Sequence, residues 1–581
     1  MTGILRVNMT DLTTKFEDVP EKYKLTGGRG LTSAITCAEV PPTCHPLGPN
    51  NKVTFAAGIV TGTAAPTSGR ISIGGKSPLT GTIKETNSGG MAGQKLARLG
   101  IKAIIVEGQA KEKGKFWLLK VDKDGVQLLP AADEWLGKGL YETYPLLFDE
   151  FGEKVAIIGI GVAGERLLAN AGICVNDPEN RPSRYAGRGG MGAVMGSKGL
   201  KAIIIDDKGG PGVPIANKEV FDAGRKKLTN ALLEHAVTKP GGGLNTYGTA
   251  VLVNVINEAS AFPTRNFREG RFEGAAKISG EAINEICKKR GGVGMTGHNC
   301  SPGCIIKCSN VYPKTDGTEL VSVQEYESVW AFGADCGIDD LDIIGELIRL
   351  CNDYGVDTIE AGVTIGVAME AGLAEFGDGK KAIELMHEIG KGTPLGHILG
   401  TGAAATAKVF GVVRCPTVKG QGMPAYEPRA IKGIGITYAT STMGADHTSG
   451  YTIAPEILGV SGKVDQFITE KADLSRNLQY ATAFLDSSGH CLFIAFAILD
   501  IPSGLEGLVE ECNGVLGTNW TVDDVGRIGG DVIKMERAFN EAAGFTKVDD
   551  RLPEFMKYEK LPPHDVVFDV PDEELDKVHA P

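Results

Sequence analysis

The apolar positions of this chain change spacing part-way along it. Over residues 1–207 they come in short blocks ended by Gly, Pro or polar clusters. Residues 4–9, 52–60, 70–73 and 102–107 are such blocks, rich in β-branched side chains, and read as strands. Residues 116–129 read as a hairpin turning at Asp124-Gly125, and 154–160 and 201–206 as apolar strands. A short helix is expected over 91–99. From Asn217 the apolar spacing lengthens to three and four. Residues 217–235 are amphipathic, and Leu341, Ile344, Ile348 and Cys351 form one helical stripe. Asp357-Thr358-Ile359-Glu360 suits a helix start, because a side-chain oxygen can accept the free N–H groups there. A small-residue helix over 357–372 would follow, then another over 379–390.

Composition breaks at 206–214 and 420–429 divide the pattern. The expected architecture is α+β: a β-rich base domain over 1–207, a mainly helical domain over 208–422 and a mainly helical C-terminal domain over 423–581. The acidic, proline-marked stretch 561–581 is expected in solvent or against a neighbour. A chain of 581 residues exceeds what one hydrophobic core supports. Its net charge of −12 disfavours nucleic acid and anionic membrane surfaces as partners. No apolar stretch has the length of a membrane span, and the first residues lack a basic region followed by an apolar run. A cytoplasmic protein is expected. Glycine is the outlier: 80 residues, about twice the usual ~7%. It clusters in Gly27-Gly28-Arg29-Gly30, Asn87-Ser88-Gly89-Gly90 and Arg184-Tyr185-Ala186-Gly187-Arg188-Gly189-Gly190. Such blocks let backbone approach a large ligand, and the interleaved Arg and Asn suggest an anionic one.

The densest chemistry lies at His298-Asn299-Cys300-Ser301-Pro302-Gly303-Cys304-Ile305-Ile306-Lys307-Cys308. Three thiols at four-residue intervals read as metal ligands, one short of the four that commonly hold an iron–sulfur cluster. Cys491, in Asp486-Ser487-Ser488-Gly489-His490-Cys491, is the candidate fourth. A structural zinc site is the rival, although zinc sites more often show two short Cys pairs. The other eight cysteines read as small buried hydrophobes. Gly159-Ile160-Gly161-Val162-Ala163-Gly164 matches a dinucleotide fingerprint, but the sequence after it is too short for the long helix that the fingerprint needs. Glu327, flanked by Ser-Val-Trp, is expected on a helix and partly buried, with its pKa raised. His447 is expected in a glycine-flanked loop, where function concentrates.

The ordered set of segments resembles the tungsten-containing aldehyde:ferredoxin oxidoreductase family over nearly the whole chain. The segments are Gly27-Gly-Arg-Gly, Ser68-Gly-Arg-Ile-Ser, Asn87-Ser-Gly-Gly, Gly161-Val-Ala-Gly-Glu, Arg184-Tyr-Ala-Gly-Arg-Gly-Gly-Met-Gly, the Cys triplet, Glu325-Tyr-Glu, Gly337-Ile-Asp-Asp-Leu, Pro424-Ala-Tyr-Glu-Pro-Arg and Asp486-x-x-Gly-x-Cys491. The resemblance implies one tungsten, or molybdenum, between two molybdopterins held on the β base. It also implies a magnesium ion bridging the pterin phosphates and a [4Fe–4S] cluster alongside. Carried over by position, Arg70 and Lys76 would contact phosphate, Asn87 and the Ala186 carbonyl would lie near the magnesium, and Gly89, Arg184, Gly187 and Arg188 would belong to the pterin cradle. The two pterin-ring motifs would fall on Asn352 or Asp353 with Asp357, and on Asp486 with His490. Cys300, Cys304, Cys308 and Cys491 would hold the cluster. Glu327 and His447 would do acid–base chemistry, Glu327 taking a proton and His447 polarising a carbonyl, and Tyr438 would help to position substrate.

The function so implied is oxidation of aldehydes to carboxylates, with electrons leaving to ferredoxin or to an iron–sulfur subunit, itself linked in some assemblies to a flavin/NAD subunit. A homodimer or a heteromeric complex is expected. Two alternatives stand beside it. One is the catalytic subunit of a tungsten-dependent aryl-coenzyme A reductase, in which a protein cysteine ligates tungsten; Cys336 is the nearest cysteine to Glu327. The other is a non-catalytic iron–sulfur carrier.

Overall fold

The computed structural model describes residues 3–580; Met1, Thr2 and Pro581, at the outer ends of the first and last expected domains, lie outside them. Twelve strands precede residue 206: β1 (Gly3–Asn8), β2 (Thr13–Asp18), β3 (Val53–Ala57), β4 (Ile71–Lys76), β5 (Ile83–Ser88), β6 (Ile101–Glu107), β7 (Trp117–Asp122), β8 (Gly125–Pro130), β9 (Ala156–Gly159), β10 (Ile173–Asn176), β11 (Pro182–Ala186) and β12 (Leu200–Ile205). They form two six-stranded sheets, ordered β2-β1-β6-β3-β4-β5 and β8-β7-β12-β9-β10-β11. The two orders are the same once six is added to each number, and each sheet has one parallel pair, β1 with β6 and β7 with β12. A twelve-residue helix follows each opening hairpin, Gly28–Glu39 and Leu140–Phe151, and a seven-residue helix precedes each last strand, Ala92–Arg98 and Met191–Ser197. One topology is thus built twice. Its visible trace in sequence is Gly89-Gly90-Met91 against Gly189-Gly190-Met191.

The layering explains why these strands read as continuous apolar blocks. One face of each sheet meets the other in a shared core that includes Val7, Phe55, Ile104, Ile158, Val175 and Ile203. The opposite faces pack under the long helices, Ile4 and Ile105 against Leu31 and Ile35, and Ile157 and Ile204 against Tyr144 and Leu147. Strands covered on both sides need apolar residues at successive positions. The hairpin at Asp124-Gly125 forms as the spacing predicts, with Asp122 paired to Gly125. Gly161 precedes a helix of only four residues, Val162–Glu165, so the dinucleotide fingerprint has no long helix behind it.

The remainder is mainly helical, which with the sheet base bears out the α+β reading. Asn217 and Asp357 cap Lys218–Glu234 and Thr358–Glu370 through their side chains, and Leu341, Ile344, Ile348 and Cys351 are buried on Leu341–Tyr354. One apolar cluster runs from Ala163 to Val578 and crosses the expected 422/423 boundary, where residues 421–431 are buried throughout. The tail corrects an expectation. Leu561, Phe568, Val570, Leu575 and Val578 are buried in that cluster, so the tail rests on its own chain. Among the described residues no helix is long and apolar enough to cross a membrane.

The stretch before Cys491 is stitched to the base. Ile59 N–H donates to Ser487 O (3.1 Å), Val60 N–H to Ser488 O (3.0 Å), Arg70 N–H to Gly489 O (3.2 Å) and Cys491 N–H to Thr67 O (3.0 Å). Gly489 ends the helix Ala472–Ser488 with φ +92°, and a Cβ on Gly58 would lie 2.2 Å from its Cα. Glycine is required on both sides of this contact. The Gly27–Gly30 block has a similar cause. A Cβ on Gly28, at φ +45°, would lie 2.1 Å from Asp486 O. Close approach of chain to chain, rather than to a ligand, places that glycine.

Candidate active site

Where the edge strands β5 and β11 meet the helices, a cavity of about 340 Å³ opens. It gathers residues from almost every segment singled out in the sequence. Arg70, Asn87, Gly89, Arg184, Gly187, Arg188, Asn352, Asp357 and Asp486 line it, as do Cys300, Cys304, Cys308, Cys491, Glu327 and His447.

The four thiols form one corner. Burial raises the pKa of Cys300, pushes Cys304 up to about 12 and holds Cys308 well above the usual thiol range, and the Cys491 charge raises each of the three further. Thiols so desolvated hold their protons unless a cation replaces them. Arg70 donates to Cys491 Sγ at 3.2 Å and lies near Cys300, so its guanidinium joins the thiol corner to the rest of the cavity. A Cβ on Gly89 would lie 3.1 Å from Cys300 Sγ, which keeps strand β5 close to the thiols. The donor set fits a four-thiolate cluster.

The sheet floor is densely paired. Arg188 donates to Asp357 Oδ2 (3.2 Å), Ala445 O (2.9 Å) and Gly422 O (2.6 Å), and so ties the floor to two roof segments. Arg184 donates to Ser309 Oγ at 2.8 Å, while its Nε has no partner. Ser88 Oγ is also buried without one. Unpaired buried donors beside a cavity suit a polar ligand. Two floor residues escaped the sequence reading. Arg29 pairs with Glu536 (2.8 Å) and Asp486 (3.3 Å) at the bottom of the cavity. Glu85 and Asp486 both lie 3.4 Å from the Asn87 amide. Burial raises both carboxyls, Glu85 to about 8 and Asp486 to about 6, and the Asp486 charge raises Glu85 further. Arg29 sits inside a flagged glycine block and could have been found; nothing local marks Glu85.

Five expected residues have side chains outside the cavity lining. Lys76 lies at the far end of β4, where its ammonium is held by the carbonyls of Pro42 and Cys44. The Ala186 side chain packs in the core between the sheets, while its neighbours Tyr185 and Gly187 line the cavity. Asp353 turns away to accept from Tyr141 N–H at 3.0 Å, leaving Asn352 on the cavity side. His490 is buried and points away from the cavity, with Nδ1 2.9 Å from Ser488 Oγ and Nε2 3.0 Å from the buried Glu511. Tyr438 is buried with an unpaired hydroxyl and is not part of the lining.

Glu327 and His447 meet in the roof. Glu327 stands on the helix Tyr326–Phe332, and its Oε2 accepts from Ala425 N–H at 3.0 Å. Tyr326 Oη donates to the carbonyl of the same Ala425 at 2.8 Å, so this one residue steadies both side chains. Asp446 caps the turn His447–Ser449 by accepting from Thr448 N–H. His447 Nε2 lies 3.4 Å from Glu327 Oε1, and neither that oxygen nor His447 Nδ1 has a hydrogen-bond partner. Burial raises Glu327 to about 8 and lowers His447 to about 4. At neutral pH the carboxyl therefore holds the proton and the imidazole is uncharged.

Comparison with known proteins agrees with this geometry. Residues 4–207 match the family profile for the N-terminal domain of aldehyde ferredoxin oxidoreductase, and residues 224–579 match the profile for its domains 2 and 3. A tungsten-containing aldehyde ferredoxin oxidoreductase of Pyrococcus furiosus is 39% identical, over 96% of this chain and 91% of that protein. One of Thermococcus kodakarensis is 38% identical, over 96% and 91%. Among solved structures, the active-site complex of benzoyl coenzyme A reductase with 1,5-dienoyl-CoA superposes with a TM-score of 0.80 at 19% identity, covering 100% of this chain and 93% of that one, a likeness of fold. The chain belongs to the aldehyde ferredoxin oxidoreductase family of enzymes.

Proposed function

We propose that this protein oxidises aldehydes to carboxylates with water as the oxygen source, releasing two electrons to ferredoxin or an iron–sulfur partner. The observation that carries this reading is the meeting of four thiols, a polar floor and a displaced acid–base pair in one cavity. Cys300, Cys304, Cys308 and Cys491 would hold a [4Fe–4S] cluster. Arg184, Arg188, Asn87, Asn352, Asp357 and Asp486 would hold a tungsten bis-pterin, and the Glu85–Asn87–Asp486 group is the most suitable place for its magnesium. The bound metal would supply two-electron oxidation, and the cluster the exit for single electrons.

The residues of the chain would position the aldehyde and move its protons. With the proton on Glu327 Oε1, His447 Nε2 accepts it as a hydrogen bond, which leaves Nδ1–H free to polarise the carbonyl oxygen. Once deprotonated, Glu327 takes the proton of the attacking water. Per aldehyde, one water is consumed, and two electrons and three protons leave with the carboxylate. In the aryl-coenzyme A reductase alternative a protein cysteine ligates tungsten. Among the described residues no fifth cysteine lines the cavity, and Cys336 is buried against the carbonyls of Ala331 and Gly362. Elemental analysis of anaerobically purified protein, with aldehyde-dependent dye reduction, tests the proposal. Tungsten with about four irons per chain and aldehyde turnover are expected; zinc alone would overturn it.

A further inference from the structure

One wall of the cavity belongs neither to the thiol corner nor to the floor. Tyr326, Tyr426, Tyr451 and Phe493 line it, and Phe496, buried behind the lining, joins Tyr451 to Phe493 in one run of aromatic rings. Centroids lie 5.3 Å apart for Tyr326 and Tyr426, 5.7 Å for Tyr426 and Tyr451, 6.3 Å for Tyr451 and Phe496, and 6.1 Å for Phe496 and Phe493. The run begins at His447, 6.0 Å from Tyr426 and 6.4 Å from Tyr451. It ends at Phe493, which is half-buried and lines the cavity with Leu492, Leu252 and Ile306. The tyrosine hydroxyls do not face a ligand. Tyr426 and Tyr451 bond each other at 2.8 Å, and Tyr326 bonds Ala425 O. What remains toward the cavity is ring edge and face.

We propose that this wall is the channel for the aldehyde's side chain, that it selects aryl aldehydes over short aliphatic ones, and that Phe493 sets the preference. The inference rests on the aldehyde reading above. An aromatic side chain extending from a carbonyl held at His447 meets offset and edge contacts along the wall, which favour it beyond area burial alone. A methyl group reaches only the inner end.

The test uses metal-loaded parent, Phe493→Ala and Phe493→Leu proteins, with benzaldehyde and acetaldehyde as substrates and a viologen dye as acceptor. The parent should favour benzaldehyde in kcat/KM by about tenfold or more, and Phe493→Ala should lower that ratio roughly tenfold, mainly through the KM for benzaldehyde. Phe493→Leu should fall between, and tungsten and iron contents should match the parent in both variants. Equal preference in the parent, or equal loss on both substrates in the variants at full metal content, would overturn the inference. Turnover of neither aldehyde by the loaded parent would instead overturn the aldehyde reading, and this inference with it.

Discussion

On the floor of the cavity, Arg188 places all three guanidinium nitrogens on protein acceptors, and Arg29 is clasped by Glu536 and Asp486. In the roof, Glu327 leaves one oxygen unpaired beside an imidazole that also has an unpaired nitrogen. The clasped floor charges stay ionised because opposite charges surround them: Arg29 and Arg188 are raised, and Glu536 is lowered, whereas burial raises the floor carboxyls Glu85 and Asp486 as it does the roof. The roof groups are displaced toward neutrality because burial dominates, with no counter-charge strong enough to offset it. Paired charges give a fixed shape that holds a ligand. Unpaired, near-neutral groups can exchange protons at working pH. The floor is rigid in a further sense, since its strands come from a topology built twice, whereas the roof is assembled from helix starts and turns.

This contrast can be broken at three levels. The largest effect is expected where floor and roof share the cluster. Cys308→Ser should lower iron from about four per chain toward zero and abolish dye reduction, because a three-thiolate site with a desolvated hydroxyl is a poor host. Retained iron and activity would remove Cys308 from the ligand set. Next, Glu327→Gln should keep tungsten and iron but lower kcat by about 10²–10⁴-fold, the usual range for a lost proton-transfer group. Wild-type turnover at full metal content would end its role. Third, Arg188→Met should act on the floor. It leaves Asp357 and Glu360 buried without their cation, so a stability loss of about 3–5 kcal/mol is expected, with loss of tungsten before loss of iron. Thermal unfolding and metal analysis read both, and an unchanged melting point would show that Arg188 does not clasp floor to roof.

Much of the roof was legible in sequence because its signals are local. A Glu among Ser, Val and Trp predicts burial, and a His in a glycine-flanked turn predicts a functional loop. The gathering of four thiols in one corner was legible because their spacing in sequence already suggested a shared ligand. The floor was read less well because its geometry depends on direction. Lys76 has the same parity on β4 as Arg70 but lies six residues along, about 20 Å of strand, so it reaches the opposite end. Asn352 and Asp353 differ by one helical position, about 100°, which is enough to put one in the cavity and the other on Tyr141. His490 follows a left-handed glycine that swings the chain, so Cys491 turns into the cavity and His490 away from it, toward the buried Glu511. The duplicated sheet could not be read because its pairs join residues as much as 99 positions apart, β1 with β6 and β7 with β12, with little shared sequence to announce them.

The smallest effect concerns pH and separates the two jobs of one roof carboxyl. With Glu327 raised to about 8, its carboxylate fraction grows about tenfold per unit below that value. If the carboxylate is the base, kcat should rise with pH and level off near 8. The folding linkage runs the other way. A carboxyl whose folded pKa lies above its unfolded value contributes stability that is fully present below about 4.5 and is lost as pH rises through about 8. Activity and stability should therefore trade against each other across the same window. Glu85 and Asp486 are also raised, so the parent's curve alone mixes floor and roof. The difference between parent and Glu327→Gln isolates the roof. Gln keeps the hydrogen-bonding shape without a titrating proton, so the variant should lose less melting temperature than the parent between pH 5 and 8, by a few degrees for a chain of this size. Parallel curves would mean that Glu327 is ionised throughout that range, and would take from the roof its near-neutral carboxyl.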